Sequence, residues 1–268
     1  TMIWEKNKPV AKIQNNDAVI FFNLRSDRSR QFSKLFISSN IEKITKDDMP
    51  VIDKIKNLFF VALTDLGPDL DIKTAFPKHN VMATLPMVLR EKKQIYIAES
   101  EKYAHITYFF NGGYTNRVAN EERFKVNSPA VDSYDKIPEM SAGKITEKVL
   151  ECIQSGRYDF LTVNFANADM VGHSGNSRAT INAVEFLDKQ LGKIYQEILL
   201  QGGTMLITAD HGNAEKMFDE KANQPDTFHT KNPVPFLAIG ESLKSRKLRT
   251  GGVLGSIAPT ILEIMEIE

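Results

Sequence analysis

The feature that most constrains this chain is an alternation of short apolar runs with longer segments of helical periodicity. Seven apolar runs of strand length predict strands, at 17–25, 58–63, 95–98, 106–110, 160–165, 205–208 and 235–239. Apolar residues at helical spacing predict helices after the first strand, over 141–156, over 184–202 and over 257–265. Strands that alternate with helices predict an α/β fold, with a mostly parallel sheet sandwiched by helices.

The chain is long enough for one full core and a second, smaller lobe, at 268 residues. An irregular stretch around Gly67, Pro68 and Pro77 interrupts the pattern of strands and helices. We therefore predict a domain boundary near Ala75. The segment after this boundary carries most of the alternating pattern.

Composition excludes several classes of partner. The 34 basic residues balance the 34 acidic ones, so charge gives no reason to expect nucleic acid or an anionic membrane as a partner. There is no apolar run of the roughly 18 residues that a membrane-spanning helix needs. Cys152 is the one cysteine, so no internal disulfide can form. A cytoplasmic, reducing setting is the natural expectation.

Aspartate and histidine follow two of the predicted strands directly. Asp169 and His173 come after the strand at 160–165, and Asp210 and His211 come after the next strand along the chain. Residues four apart share one face of a helical turn, so the first pair can aim at one point. Because functional groups gather outside the carboxyl ends of parallel strands, we expect both pairs at one edge of the sheet.

A further histidine, His229, lies shortly before the last predicted strand. Two carboxylates and three imidazoles form a ligand set that suits Mn²⁺, Zn²⁺ or Fe²⁺ better than Ca²⁺ or a soft metal. Each histidine taken singly could equally cap a loop by hydrogen bonding. The three together, each near a strand, favour a metal site.

Basic residues provide a second candidate site. Arg25 and Arg28 follow the first strand at a spacing that lets two guanidinium groups grip phosphate or carboxylate, although a solvated helix start accounts for that spacing as well. Lys102 lies between two predicted strands, which by itself is typical of a surface lysine. His79 and His105 fit structural or loop roles better than ligand roles. No phosphate-binding glycine loop occurs, so we expect no organic cofactor.

Five segments carry a resemblance to a known family: FFNLRSDR, ESEKYAHITYFFNGG, NFANADMVGHSGN, ITADHGNAE and HTKNPVPF. In this order they closely resemble the 2,3-bisphosphoglycerate-independent phosphoglycerate mutases, members of the alkaline phosphatase superfamily. The resemblance extends from about Val10 to the IAPTILE segment at 257–263.

The resemblance implies an isomerase of glycolysis and gluconeogenesis. The family interconverts 3-phosphoglycerate and 2-phosphoglycerate through a phosphoserine, with two Mn²⁺ ions, or Co²⁺ or Zn²⁺ in some members. One lobe binds the metals and the other binds glycerate. Residues 1–75 then correspond to the C-terminal part of the substrate-handling, transferase domain. Residues 76–268 correspond to the C-terminal part of the metal-binding, phosphatase-like domain.

The same resemblance assigns ligands to two metal sites. Asp169, His173 and His229 match the ligands of one site. Asp210 and His211 match two ligands of the other site. The intact family members are expected to be monomeric and cytoplasmic.

The resemblance also assigns the basic residues. Lys102 matches a catalytic lysine that neutralises the transferring phosphoryl group. Arg25 and Arg28 match two substrate-binding arginines. No serine of this chain matches the nucleophile, and the family's early metal-binding aspartate has no counterpart here.

We therefore expect the chain to correspond to the C-terminal half of such a mutase and to be inactive alone. An incomplete sheet predicts an exposed edge and self-association. Two other functions are compatible with the residues. One is another metal-dependent phosphatase or phosphosugar mutase of the same superfamily, and the other is a non-catalytic module that binds metal and phosphate.

Overall fold

The protein is described here from a computed structural model that covers residues 3–24, 26–37, 55–66, 70, 72–77 and 81–267. The chain divides into two compact units, Thr1–Asn80 and Val81–Glu268. The predicted boundary near Ala75 falls within the last strand of the first unit, a few residues before this division.

The first unit contains a small parallel sheet and one helix. Its elements are β1 (Trp4–Glu5), β2 (Lys8–Pro9), β3 (Ala18–Phe21), α1 (Ser26–Ile37), β4 (Phe59–Thr64) and β5 (Lys73–Phe76). Strands β3, β4 and β5 pair in that order and in parallel. Phe60 of β4 is buried and stacks on Phe36 of α1, with ring centroids 5.7 Å apart. This aromatic contact packs the helix on the sheet.

The second unit contains the remaining elements. The helices are α2 (Leu85–Val88), a π-helix (His105–Phe109), α3 (Ala142–Gln154), α4 (Asn167–Gly172), α5 (Ser177–Leu200) and α6 (Ile257–Ile264), with short 3₁₀ turns at Tyr134–Lys136, Glu241–Leu243 and Leu254–Ser256. The strands are β6 (Gln94–Glu99), β7 (Glu122–Val126), β8 (Phe160–Asn164), β9 (Met205–Thr208), β10 (Phe218–Asp219), β11 (Gln224–Pro225) and β12 (Phe236–Ile239).

The main sheet of this unit is parallel, with β6 between β7 and β8. Every residue of β6 is buried, because both edges of the strand are paired and residues of α3 and α5 pack on it. Strand β9 pairs antiparallel with β12. The largest core cluster joins Ile97 of β6 to Ile145 and Val149 of α3 and to Ile194 of α5. The α/β class predicted from the sequence is confirmed.

Helix α5 shows how the periodic pattern becomes packing. The Asn176 side chain caps its start by accepting a hydrogen bond from the Ala179 backbone at 3.1 Å. Ala179, Ala183 and Ile194 are buried, whereas Val184 is exposed. None of the helices in the described part of the chain combines the length and apolar character needed to cross a membrane.

The predicted strand at 106–110 is wrong. His105–Phe109 form the π-helix, and the backbone N–H of Phe110, the next residue, donates to the carbonyl of His105 at 3.1 Å. The aromatic run has strand propensity, but Ile106 and Phe110 pack instead against Tyr96 of β6. Tertiary packing overrides local preference here, as it often does for aromatic residues. Single π turns are frequent at functional sites.

Candidate metal centre

Helix α4 presents the first aspartate and histidine of the site. It begins directly after β8, and its Asn167 side chain donates to the carbonyl of Pro138 at 2.8 Å. The backbone N–H of His173 donates to the carbonyl of Asp169 at 3.0 Å, which continues the helical path. The two side chains therefore share one face, and the Nε2 atom of His173 lies 3.2 Å from Oδ1 of Asp169.

His229 comes from the loop before β12 and reaches the same carboxylate oxygen. Its Nε2 atom lies 3.2 Å from Oδ1 of Asp169 and 3.0 Å from Nε2 of His173. The Nδ1 atom of His173 lies 2.7 Å from the carbonyl oxygen of Thr227. Because a carbonyl only accepts hydrogen bonds, this contact places the His173 proton on Nδ1. In the neutral ring, the lone pair of Nε2 then faces the cluster.

His211 follows β9 and stacks on His229, with ring centroids 3.6 Å apart and planes inclined by 18°. One ligand atom each from Asp169, His211 and His229 lies within 4.8 Å of the others. Asp210 is on the outer side of this group. Its side chain is 59% exposed, and its Oδ2 lies 3.5 Å from Nε2 of His211.

The separations of the donor atoms fit a single divalent cation. An ion with four ligands at about 2.0 to 2.1 Å holds them roughly 3.3 Å apart. The three distances among Oδ1 of Asp169 and the Nε2 atoms of His173 and His229 are 3.2, 3.2 and 3.0 Å. One carboxylate and two imidazoles, with no thiolate, also match the donor types of Mn²⁺, Zn²⁺ and Co²⁺. These residues could therefore hold such an ion.

Lys102 controls the charge of the cluster. It is only 8% exposed, and its Nζ donates to Oδ2 of Asp169. The expectation of a surface loop lysine, drawn from its neighbours alone, is therefore wrong. Burial opposes ionisation of Asp169, but the Lys102 ammonium, an Asn213 hydrogen bond and His173 outweigh it and lower its pKa to about 2.

His229 is also biased toward the form that binds metals. Burial lowers the pKa of His229, and the neighbouring His211 and His173 rings lower it further, although Asp169 acts in the opposite direction. At neutral pH the centre thus combines an ionised carboxylate with a neutral imidazole. Both are in the protonation state that coordination requires.

Glu215 joins the two loops that carry His211 and His229. Its carboxylate accepts hydrogen bonds from the Asn213 backbone at 2.7 Å, from the Asn232 side chain at 2.9 Å and from the Thr230 hydroxyl. Gly212 forms an isolated bridge with Thr230, and a Cβ there would lie 2.2 Å from the Thr230 hydroxyl oxygen. A glycine is needed at this close approach.

The sequence did not identify Asn213 or Glu215 as site residues. Their place directly after Asp210 and His211 is the signal that could have found them. Arg25 and His79 lie outside the described residues. Arg28 lies in α1, but its side chain is outside the described part as well. The predicted role of these two arginines in substrate binding therefore stays a prediction.

Comparison with known proteins gives consistent results. The family model described as "Metalloenzyme superfamily" matches residues 13–268. A 2,3-bisphosphoglycerate-independent phosphoglycerate mutase of Clostridioides difficile is 44% identical, over 100% of this chain and 52% of that protein. One of the proteins of that name in Methanosarcina barkeri is 45% identical, over 97% of this chain and 48% of its own length.

A solved structure agrees with these relatives. A phosphoglycerate mutase of Leishmania mexicana, determined at low cobalt concentration, has a TM-score of 0.83 and 28% identity, over 99% of this chain and 51% of that protein. The resemblance seen in the sequence motifs is thus confirmed. The chain spans about half the length of the relatives that it matches.

Proposed function

We propose that this chain, which belongs to the Metalloenzyme superfamily, is the metal-binding, C-terminal half of a cofactor-independent phosphoglycerate mutase. The relatives that carry this name align with nearly the whole length of the chain. One structural observation supports the proposal most strongly: Asp169, His173 and His229 bring three metal-ligating atoms together from two separate segments. The substrate would be a phosphoglycerate, and the setting the cytoplasm.

The chain would hold one ion at Asp169, His173 and His229. It would contribute Asp210 and His211 to a second ion, whose other ligands come from elsewhere in the intact enzyme. Mn²⁺ is the expected metal, with Co²⁺ or Zn²⁺ as alternatives. When bound, such ions supply positive charge to phosphoryl oxygens and favour ionisation of an attacking hydroxyl.

Lys102 is the catalytic residue that this chain would contribute. It is buried beside Asp169 and carries its charge into the centre of the cluster. An ammonium in such a sheltered place stabilises a developing negative charge more strongly than one in water. Arg25 and Arg28 would bind the phosphate or carboxylate of the substrate, since guanidinium groups suit bidentate contacts with both.

The nucleophile would come from a segment that is not among these residues. In the described part of the chain, the hydrogen bonds of Asp169, His173 and His211 reach no serine hydroxyl. We therefore expect no interconversion of 3-phosphoglycerate and 2-phosphoglycerate by the purified chain, even with Mn²⁺. Turnover by material free of host mutase would contradict this part of the proposal.

Calorimetric titration with Mn²⁺ tests the metal site itself. We expect wild type to bind Mn²⁺, and His173→Ala and His229→Ala each to lose more than about 100-fold in affinity, because removing a ligand costs more than removing a supporting group. His105→Ala is the matched control, because His105 lies on the π-helix and is not part of the group that could hold a metal. Equal affinity in wild type and both cluster variants would refute the site.

A further inference from the structure

We propose that Asn213 is a positioning residue that aims one oxygen of Asp169 at the two imidazoles. The proposal rests on the metal site proposed above and concerns a residue that contributes no ligand to it. Asn213 lies in the loop after β9, whereas Asp169 lies in α4. Asn213 therefore connects the segment after β9 with the segment after β8, the preceding strand of the chain.

The two oxygens of the Asp169 carboxylate have different donors. Lys102 donates to Oδ2, and the Nδ2 group of Asn213 donates to Oδ1 at 2.9 Å. Nδ2 also lies 3.4 Å from the backbone carbonyl oxygen of Asp169. With one donor on each oxygen, the carboxylate cannot rotate without losing a hydrogen bond. The remaining lone pair of Oδ1 is left for a cation, which predicts binding through one oxygen only.

The Asn213 side chain is itself tightly held. It is 4% exposed, and its backbone N–H donates to Glu215. On its other side it packs on Gly172, where a Cβ would lie 2.4 Å from Oδ1 and 2.9 Å from Cγ of Asn213. Any side chain at Gly172 would displace the amide. Gly172 and Glu215, which are far apart in the sequence, thus both restrict the orientation of Asn213.

The amide of Asn213 forms its hydrogen bonds through the donor end alone in the described part of the chain. Its buried oxygen has no hydrogen-bond partner there. A buried amide with one end unsatisfied costs free energy, as it also does at Asn111, whose Nδ2 donates to Glu121. At Asn213 the donor end holds the carboxylate of Asp169, on the oxygen that lies nearest the two imidazoles. Supporting groups that orient metal ligands commonly contribute 10- to 100-fold to metal affinity.

Titration with Co²⁺, followed by calorimetry and by visible absorption, tests the proposal. Asn213→Asp keeps the shape but replaces the donor with a second carboxylate. Gly172→Ala leaves residue 213 as asparagine but displaces its side chain by steric contact. We expect each variant to lose about 10- to 100-fold in Co²⁺ affinity and to change the cobalt absorption spectrum, because the carboxylate turns.

The control is Asn182→Asp, the same substitution at an exposed position of α5. It should leave both affinity and spectrum unchanged. The double variant Asn213→Asp with Gly172→Ala should lose less than the product of the two single losses, because both changes act through one amide. Circular dichroism of the metal-free proteins identifies any variant that fails to fold, and the other variant then decides the question.

The outcomes separate the two proposals. A wild-type chain with no affinity for Co²⁺ or Mn²⁺ overturns both of them. Wild-type binding that Asn213→Asp and Gly172→Ala leave unchanged in affinity and spectrum overturns the role of Asn213 alone. Weaker binding with an unaltered cobalt spectrum also contradicts it, since the coordination of Asp169 would then be the same.

Discussion

Two carboxylates of the second unit, the buried Glu121 and the partly buried Asp169, are each held by a cation and an asparagine amide, but their remaining contacts differ. Glu121 is fully buried and accepts hydrogen bonds from Arg123 at 2.9 Å, from Asn111 at 2.9 Å and from the Ala119 backbone at 3.1 Å. Each hydrogen bond of Glu121 in the described part of the chain comes from a donor. This carboxylate is saturated and ties together the loop that leads into β7.

The remaining contacts of Asp169 are imidazole nitrogens. The contact of His173 Nδ1 with a carbonyl leaves its Nε2 as the nitrogen that faces Asp169, 3.2 Å from Oδ1, and Nε2 of His229 lies at the same distance. One proton can join two of these three atoms, whereas a cation joins all three. A buried carboxylate surrounded by donors is structural. One that faces acceptors is suited to a positive ion.

The largest effect expected from this comparison is on stability. Glu121→Gln would leave Arg123 without its carboxylate and should lower the free energy of unfolding by about 3 to 5 kcal/mol. Urea denaturation measures this loss. Mn²⁺ affinity of the folded protein should not change, since Glu121 does not belong to the group of Asp169, His211 and His229 that could hold a metal.

The exposed pair Arg90 and Glu91 provides the control. Glu91→Gln should cost less than about 1 kcal/mol, because surface ion pairs contribute little. If Glu121→Gln were no more destabilising than this control, the two carboxylate environments would not differ in the way described.

A smaller effect is expected from Lys102→Met in the metal-free protein. The low pKa of Asp169 contributes stability above the ordinary carboxyl pKa, and this contribution is lost as pH falls through about 2. Without the ammonium, the pKa of Asp169 rises and the contribution shrinks. We expect a loss of about 2 kcal/mol at pH 7 that diminishes toward pH 2. A gap between wild type and variant that is independent of pH would contradict this account.

Glu99 at the end of β6 extends the comparison to a carboxylate with no hydrogen-bond partner in the described part of the chain. Burial raises its pKa, and the opposing effects of the Ser128 hydroxyl and the Ser141 backbone offset this only in part. The folded protein therefore holds a proton that the unfolded chain releases, so stability falls as pH rises above the unfolded pKa.

Glu99→Gln should remove this pH dependence and stabilise the protein at pH 8 by about 1 kcal/mol, with little difference at pH 4. Thermal unfolding at the two pH values measures it. Glu101→Gln is a matched control, since Glu101 already has a partner in the hydroxyl of Tyr134. Equal gains in stability for Glu99→Gln and Glu101→Gln would contradict the claim that the buried Glu99 carboxylate specifically destabilises the protein at high pH.

The strands and ligands that obey simple spacing were predictable from the sequence. The apolar runs that form β6, β8 and β9 lie within a residue or two of their predicted positions. Asp169 and His173 were predicted to meet because a helical turn fixes their spacing. His229, which is distant in sequence, was grouped with them only by residue type and by family resemblance.

The missed features depend on contacts between distant segments. The stacking of His211 on His229, the burial of Lys102 and the hydrogen bond from Asn213 to Asp169 leave no periodic signal in the sequence. The π-helix at His105–Phe109 was missed because an aromatic run has the composition of a strand. Propensity describes local preference, whereas these features are set by tertiary packing.

The most direct test of the account is the anomalous scattering of crystals grown with Mn²⁺ and measured at the manganese absorption edge. We expect an anomalous peak for one manganese ion, about 2.0 to 2.2 Å from Oδ1 of Asp169 and from the Nε2 atoms of His173 and His229. Manganese bound elsewhere, with these three side chains still in contact only with one another, would contradict the central claim that they form a metal site.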